Sequence, residues 1–543
     1  MGNSAVLDAD AAAARIPDGA VVAVTGSGGG ILESDAVFQA VERRFLRSGH
    51  PRGITLVHAL GLGDNAERGI NRFAHEGLVR RVIGGHWTWS RPMQELAREN
   101  RMEAYSLPAG VISALLRESG ARRPGLLTRV GIGTFVDPRN SGGKLNDAAT
   151  EEIVELVEFD GMEYLRYRPL RVDVGIVRGT IADERGNVSL EDEASLLDVQ
   201  AVAIAARGNG GRVIVQVKRL GAQGSLDPRL VHLPSPMVDV VVPHPGQWQT
   251  YAAEYDPALS GRFRPAPARS DGALLAPPDG GGTVLDARAM VARRAALEVV
   301  PGSVVNVGFG MSAGVVDVLA QHDRLDDVDL CIEQGATGGT PESGPLFGLS
   351  RAPFAVVPST TQFDFFAAGI LDLTALGMAE VDQFGNVNVS RVGGVVVGPG
   401  GFINIVSGAR KVVFCGTFTA RGLQAKAAGG RLLVKQEGSL RKFVGKVDEV
   451  TFSARTAREE GQQVLYVTER AVFELGENGP VLTEVAEGLD VERDVLAHMD
   501  FAPEIGALRP MPPAVFSNGP LWPAMHDRSE PSRSTVGATP GSA

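Results

Sequence analysis

Two segments of this chain occur twice in the same order, and this repetition constrains the fold more than any other feature. VTGSGGG at 24–30 resembles VGFGMSAG at 307–314, and each closes a strand-like run and opens a helical one. GTIADERGNVSLEDEA at 179–194 resembles GMAEVDQFGNVNVSRV at 377–392. A single pair of repeats excludes a solenoid and indicates two related domains that face each other across a cleft.

Apolar β-branched runs alternate with helical patterns in both halves, as in VVAVTG followed by SDAVFQAVERRFLRSG. This alternation is typical of an α/β fold, and it predicts two related open α/β domains with largely parallel sheets, in tandem in one chain. We predict an N-terminal domain over 1–261 and a C-terminal domain over 285–520. A Pro- and Gly-rich linker is expected at 262–284 and a disordered tail at 521–543.

Length and composition exclude several classes of protein. The 543 residues exceed what one hydrophobic core organises, and the net charge of -11 disfavours a nucleic-acid partner. Apolar runs are interrupted by Gly and Pro before they reach the ~20 residues of a membrane-spanning helix. The chain starts without the basic and apolar regions of an export signal, and Cys331 and Cys415 have no zinc-ligand spacing. We therefore expect a cytoplasmic protein that binds no nucleic acid, membrane or metal.

The segment LCIEQGATGGTPESG at 330–344 places an acid where an apolar strand ends and a glycine-rich turn begins. In open α/β sheets, ligands bind outside the carboxyl ends of the strands, which is where Glu333 is expected to lie. Glu333 is then either a structural turn residue or a nucleophile. A desolvated carboxylate can attack an acyl carbonyl, and N–H groups of glycine turns such as GPGG at 398–401 can bind the oxygen that becomes negative.

The glycine-rich turns also allow two interpretations. Their N–H groups can bind phosphate at the start of a helix, but tight strand-to-helix turns use glycine for steric reasons alone. Their spacing does not match the dinucleotide-binding fingerprint. The chain has no H-E-x-x-H motif of a metalloenzyme, and neither cysteine opens a helix, where a reactive thiolate is expected. Glu333 is therefore the best nucleophile candidate.

These segments resemble the family I coenzyme A transferases, in particular the single-chain acetate/propionate and 3-oxoacid CoA-transferase branch. The E-x-G motif of that family, with a following G-G, is matched by Glu333-Gln334-Gly335 and Gly338-Gly339. FAHEGLVRRVIGGHW, RPGLLTRVGIGTFVDPR and GPGGFINI followed by KVVFCGTFTA match in the same order. The resemblance covers nearly the whole chain, about residues 10 to 520, and is far more specific than any one glycine motif.

The resemblance implies a CoA-transferase with ping-pong kinetics. Glu333 would attack the thioester of an acyl-CoA donor to give an acyl-glutamyl anhydride, and the CoA thiolate would then form a glutamyl-CoA thioester. A carboxylic acid acceptor would run the sequence backwards. No cofactor is bound permanently, because CoA is both a substrate and a covalent intermediate. The expected partners are acyl-CoA, small carboxylic acids and other copies of the chain in a dimer or tetramer.

The resemblance also implies roles for individual residues. Glu333 is the nucleophile, and Gly400 and Gly401 carry the N–H groups of the oxyanion hole. The glycines expected to contact CoA are Gly308, Gly310, Gly335, Gly338, Gly339 and Gly398. The substrate pocket is expected to include Gly28, Gly29, Ala109 and Arg351.

The chain departs from the family pattern in this substrate pocket. Where the family reads L-P-Q-G, the chain has Leu107-Pro108-Ala109-Gly110, so a glutamine amide that orients or polarises the substrate is missing. Arg351 is a second departure. Three interpretations stay open: a CoA-transferase with an unusual acyl group, an acyl-CoA thioesterase that uses the same glutamate, and a CoA-binding protein with a decayed site. The last is disfavoured because Glu333 and the glycine turns are intact.

Overall fold

The computed structural model of the protein describes residues 4–263 and 285–522. Residues 264–284 of the predicted linker and 523–543 of the predicted tail lie outside the described residues. The domain boundaries at 261, 285 and 520 therefore stay predictions.

The N-terminal half is built on a parallel sheet, as its repeated strand and helix patterns predict. Every neighbouring pair on the main path is parallel. The central strands read as apolar runs because helices cover both faces of such a sheet. In spatial order the path runs through Ala5–Val6, Val240–Pro243, Arg212–Gly221, Val174–Asp183, Val21–Val24, Ile54–His58, Val79–Gly84 and Glu103–Ser106. Val188–Ser189 pairs antiparallel with both Val174–Asp183 and Val231–Leu233.

The C-terminal half has a second sheet, parallel at one side and partly antiparallel at the other. In spatial order its strands are Asp329–Leu330, Val304–Val307, Leu373–Gly377, Lys411–Cys415, Gln463–Val467, Ala471–Leu475, Pro480–Val485 and Glu504–Pro510. The first five are parallel, the next two pairings are antiparallel, and the last is parallel again. The predicted fold class, two α/β domains with largely parallel sheets, is confirmed.

The described residues contain eleven α-helices. They are α1 Ala9–Ala13, α2 Asp35–Ser48, α3 Arg91–Arg98, α4 Ala109–Gly120, α5 Val199–Gly208, α6 Ala287–Ala296, α7 Gly314–Gln321, α8 Ser359–Ala367, α9 Phe402–Gly408, α10 Ala454–Glu459 and α11 Val491–Asp494. In the part of the chain that the structure describes, none of them combines the length and the apolar character that crossing a bilayer requires.

Smaller β elements complete the described part. A three-stranded antiparallel sheet is formed by Leu126–Thr128, Met162–Tyr167 and Val154–Phe159. The others are Ala336–Thr337 with Ala355–Val356, Thr340–Pro341 with Ser350–Arg351, Arg391–Val392 with Val395–Val396, Thr419–Ala420 with Leu440–Arg441, Gln424–Ala428 with Arg431–Gln436, and Glu380–Asp382 with Val387–Asn388 and Phe443–Val444.

The repeated G-N-V segments form the same turn in both halves. Asp183 Oδ1 accepts the N–H groups of Arg185 and Asn187, and its N–H donates to the Asn187 carbonyl. In the C-terminal half, Oδ1 of Asp382 accepts the N–H groups of Phe384 and Asn386, and the Asp382 N–H donates to the Asn386 carbonyl. The equivalent glycines share a φ of 88°, so the sequence repeat reflects a repeated local structure.

Helices α4, α8 and α9 join the two halves. Each begins directly after a proline or glycine, namely Pro108, Pro358 and Gly401. Proline fits the position directly before a helix because no helical hydrogen bond needs its missing N–H there. The buried faces of the three helices belong to a single apolar core that contains residues of both halves. This shared core holds the carboxyl ends of the first sheet against the C-terminal half.

Candidate active site

Glu333 lies in a tight turn directly after the strand Asp329–Leu330. The N–H of Gly335 donates to the Ile332 carbonyl at 2.9 Å, and the N–H of Ile332 donates to the Ala336 carbonyl at 2.9 Å. Gly335 has a φ of +109°, and a Cβ atom there would lie 1.9 Å from the Val357 carbonyl oxygen. A side chain cannot fit at this point, so the glycine of the E-x-G motif is needed to form the turn that presents the acid.

The Glu333 carboxylate is held in a confined space. A Cβ atom on Gly401 would lie 1.7 Å from Oε2 of Glu333 and 3.1 Å from the Phe363 ring. Burial raises the pKa of Glu333 to about 7, although the N–H of Gly401 and the amide of Gln334 act in the opposite direction. Desolvation therefore outweighs two favourable polar contacts, and the side chain is partly protonated at neutral pH.

The glycine turn at 398–401 is fixed by the N-terminal half. The Gly400 N–H donates to the Gly85 carbonyl at 2.8 Å, and the Gly400 carbonyl accepts the Ala109 N–H at 2.8 Å. The N–H of Gly400 is thus already engaged, whereas the N–H of Gly401 faces the carboxylate of Glu333. The two predicted oxyanion donors are therefore not equivalent.

The start of α4 reaches this turn from the N-terminal half. Ala109 is fully buried, and the N–H of Gly110 donates to Oδ1 of Asn404 at 3.0 Å. Phe363 fills the space beside them, because a Cβ atom on Gly110 would lie 2.6 Å from its ring. Three places that lie far apart in the sequence, Ala109, Glu333 and the Gly400–Gly401 pair, are thereby brought together where the two halves meet.

Gly29 also lies where the two halves meet, and Gly28 precedes it in the same turn. A Cβ atom on Gly28 would lie 2.1 Å from the Trp89 indole, and one on Gly29 would lie 2.2 Å from the Pro345 carbonyl oxygen. Pro345 belongs to the loop whose Gly348 packs against the amide of Gln334. The first glycine turn of the chain is therefore connected to the turn of Glu333 through one loop of the C-terminal half.

Most of the glycines expected to contact CoA have a steric explanation. A side chain would collide with neighbouring protein atoms at 2.9 Å or less at Gly308, Gly335, Gly338, Gly339 and Gly398. Gly310 differs, since no atom lies within 4 Å of a Cβ atom placed there and the preceding Phe309 is 62% exposed. Of these glycines, Gly310 is the one with room for a ligand along its Cβ direction.

Arg351 is engaged by two carboxylates. Its Nη1 donates to Asp256 at 2.6 Å and its Nε donates to Glu342 at 2.8 Å. The two carboxylates offset the positive charge of Arg351, which would otherwise be available to bind a second polar group of a substrate. The place of Arg351 in the substrate pocket stays a prediction, and its charge is already paired in this structure.

The glycine turn of the C-terminal half contains a further candidate, since Gly310-Met311-Ser312-Ala313-Gly314 has the G-x-S-x-G pattern of a nucleophile elbow. Ser312 is fully buried, and its Oγ donates to the Gly308 carbonyl at 3.0 Å. Both cysteines are buried as well, and burial raises the pKa of Cys415 to about 12. In this structure none of the three is set up as a nucleophile, and Glu333 stays the best candidate.

Several residues of the site were missed by sequence reasoning. Gln334, Phe363 and Asn404 contact Glu333, Gly401 and Gly110 respectively, and His86 packs against Gly398 and Gly400. Gln334 stands inside the E-x-G motif, and His86 and Asn404 stand inside quoted segments, so a signal was present for these three. Phe363 carries no such signal, because only the tertiary fold brings α8 to the glycine turn.

Comparison with known proteins decides the family. The model of the family described as Coenzyme A transferase matches residues 6–244. The chain is 41% identical over 505 residues to the acetate CoA-transferase YdiF of Escherichia coli (strain K12), which covers 93% of each chain. The chain belongs to the coenzyme A transferase family. It is therefore an enzyme, a single-chain family I CoA-transferase.

Two further comparisons support this membership. The transferase is 40% identical over 521 residues to the caffeate CoA-transferase of Acetobacterium woodii, covering 94% of this chain and 97% of the other. The crystal structure of the acyl-CoA transferase YdiF from E. coli O157:H7, as a thioester complex with CoA, aligns with a TM-score of 0.88 at 40% identity. That alignment covers 96% of this transferase and 97% of the YdiF chain.

Proposed function

We propose that this enzyme transfers CoA from an acyl-CoA donor to a carboxylic acid acceptor, with Glu333 as the nucleophile. The observation that carries the proposal is the packing of the Glu333 carboxylate against Gly401, whose N–H faces it. A desolvated carboxylate beside a fixed N–H group suits attack on a thioester. Relatives named acetate and caffeate CoA-transferases support the same reaction class.

In the first half of the reaction, a carboxylate oxygen of Glu333 forms a bond to the acyl carbon of the donor. The carbonyl oxygen of the donor becomes negative and accepts the Gly401 N–H. The C–S bond then breaks, and its electron pair leaves with the CoA thiolate, which gives an acyl-glutamyl anhydride. We assign the donor role to Gly401 rather than Gly400, because the Gly400 N–H is held by Gly85.

In the second half, the CoA thiolate attacks the side-chain carbonyl carbon of Glu333. The donor acid leaves as a carboxylate, and a glutamyl-CoA thioester remains on the enzyme. An acceptor carboxylate then attacks the glutamyl-CoA thioester and releases the CoA thiolate, which gives a new anhydride. The thiolate attacks the acceptor acyl carbon of this anhydride, so that the new acyl-CoA departs and Glu333 is regenerated. A pKa of about 7 suits this chemistry, since the nucleophile is available near neutral pH but is desolvated enough to react.

The test of this function separates transfer from hydrolysis. The enzyme is incubated with acetyl-CoA or caffeoyl-CoA, with and without a second carboxylate such as propionate, and the acyl-CoA products are separated. We expect a new acyl-CoA that depends on the acceptor, parallel lines in double-reciprocal plots, and no transfer by Glu333→Gln. Acyl-CoA consumption that is independent of any acceptor would instead identify a thioesterase. If the enzyme consumes neither acetyl-CoA nor caffeoyl-CoA, the site is decayed.

A further inference from the structure

Gln334 is a buried polar residue for which the reaction above has no role. Its Nε2 donates to Oε1 of Glu333 at 3.3 Å, and the residue is 3% exposed. The Oε1 atom of Gln334 finds no hydrogen-bond partner among the described residues. The nucleophile itself is thus the polar group that the side chain of Gln334 contacts.

Gln334 is held in place from both halves of the enzyme. Ser195, which belongs to the N-terminal half and is 2% exposed, donates its Oγ proton to the main-chain carbonyl oxygen of Gln334 at 2.6 Å. On the other side, a Cβ atom on Gly348 would lie 2.7 Å from Cδ of Gln334. A donor fixed in this way needs little reorganisation when charge develops on its partner.

The two oxygens of the Glu333 carboxylate have different neighbours. Oε2 lies against Gly401, and Oε1 faces the amide of Gln334. Oε2 is beside the N–H that binds the acyl oxygen, so it is the oxygen that forms the new bond to the acyl carbon. Oε1 then becomes the carbonyl oxygen of the glutamyl side of the anhydride.

This assignment fixes where negative charge develops in the second half of the reaction. When the CoA thiolate bonds to Cδ of Glu333, the electron pair of the carbonyl moves onto Oε1. This electron pair then re-forms the carbonyl, the bond from Cδ to Oε2 breaks, and the donor acid leaves as a carboxylate that contains Oε2. The transient negative charge therefore lies on the atom that Nε2 of Gln334 already faces.

We propose that the side-chain amide of Gln334 is the oxyanion donor for the glutamyl carbonyl, during both formation and breakdown of the glutamyl-CoA thioester. The inference rests on the proposed function, since it requires Glu333 to be the nucleophile. The Gly401 N–H stabilises charge on the acyl group, and the Gln334 amide stabilises charge on the enzyme's own carboxyl. A substitution at Gln334 should then separate the two halves of the reaction.

The test uses Gln334→Met, which keeps the approximate shape of the side chain and removes the N–H. Rapid mixing with acetyl-CoA and with caffeoyl-CoA, followed by intact mass analysis, measures the rate of thioester formation. We expect this rate to fall by ~10²–10³-fold, as for loss of one oxyanion donor. Water then hydrolyses the stalled anhydride to acid and Glu333, so the ratio of acyl-CoA hydrolysis to CoA transfer rises. An unchanged ratio overturns the inference.

Gln362→Met is the matched control. Gln362 lies on α8, is 2% exposed, and its Nε2 has no hydrogen-bond partner among the described residues. Its substitution removes an equally buried amide. We expect this variant to keep the wild-type ratio of acyl-CoA hydrolysis to CoA transfer. A change in that ratio as large as the one for Gln334→Met would assign the effect to packing and overturn the inference.

Gln334→Glu keeps the proposal testable if the methionine variant does not fold. Burial, the Gly401 N–H and the Gln334 amide act on the Glu333 pKa, with no charged side chain among these causes. Two adjacent carboxyls share one proton, and the protonated partner can donate to Oε1. We expect transfer by Gln334→Glu to fall at alkaline pH, where the wild-type rate does not, and the absence of this fall overturns the inference. A wild-type enzyme that forms no thioester would refute the proposed function itself.

Discussion

The Cα atom of Gly401 lies against the carboxylate of Glu333, so close that a Cβ atom there would be 1.7 Å from Oε2. The two residues are far apart in sequence, and the start of α4 fixes their meeting through the bond from the Ala109 N–H to the Gly400 carbonyl. The site therefore depends on the packing of both halves of the chain.

Gly401→Ala should abolish CoA transfer while the protein stays folded. The new methyl group must displace the Glu333 carboxylate, because the atom that it meets is the end of a side chain rather than backbone. Gly445→Ala is the control. No atom lies within 4 Å of a Cβ atom placed on Gly445, and the φ of this residue is not positive. Transfer rates and thermal unfolding of both variants check this, and full activity of Gly401→Ala would contradict the assigned geometry.

Glu333→Gln should raise the free energy of unfolding at pH 8 and leave it nearly unchanged at pH 4. Burial raises the pKa of the carboxyl from 4.5 to about 7 in the folded protein. The stability that the protonated acid contributes is fully present below pH 4.5 and is lost as the pH rises through 7. The variant carries no such loss, so it should gain up to ~3 kcal/mol above pH 7.

Denaturant unfolding of both proteins at several pH values measures that gain. A difference in the free energy of unfolding that is the same at pH 4 and pH 8 would show that Glu333 is not desolvated.

The acid limb of the activity profile should lie near pH 7, well above the usual range of a carboxylic acid. The nucleophile must be ionised, and burial disfavours the ionised form. The dependence of kcat/KM on pH measures this limb for the free enzyme. A rate that is already maximal at pH 5 would contradict the raised pKa.

Asn404→Leu should destabilise the contact between the halves. It leaves the buried N–H of Gly110 without the acceptor that Oδ1 now supplies at 3.0 Å. Such a loss costs ~1–3 kcal/mol, and it should also slow transfer because α4 positions the glycine turn. Asn404→Asp keeps an acceptor and should lose less. Equal losses in the two variants, measured by unfolding and by kcat, would show that the hydrogen bond is unimportant.

The fold was largely predictable from the sequence because its signals are local and repeated. The alternation of strand and helix patterns predicts parallel sheets, and the two G-N-V segments form the same turn around Asp183 and Asp382. The antiparallel strands Ala471–Leu475 and Pro480–Val485 were not predicted, since their apolar runs resemble those of parallel strands. The sequence pattern could not distinguish the two arrangements.

The candidate site was predictable only in part. Glu333 follows a strand and precedes glycines, which is a local pattern, and the structure places it in the expected turn. The different surroundings of Gly400 and Gly401 depend on Gly85, which lies in the other half of the chain. The pairing of Arg351 with Asp256 is also a long-range contact, so the charge of Arg351 in the sequence gave no sign that it was already matched.

The central claim is that CoA becomes covalently bound to Glu333. The most direct measurement is intact mass analysis of the wild-type enzyme and Glu333→Gln after incubation with acyl-CoA, with and without borohydride. We predict a CoA adduct on the wild type that borohydride converts to an alcohol, located at residue 333 by peptide mapping, and no adduct on the variant. An adduct at another residue, or transfer activity without Glu333, would contradict the account.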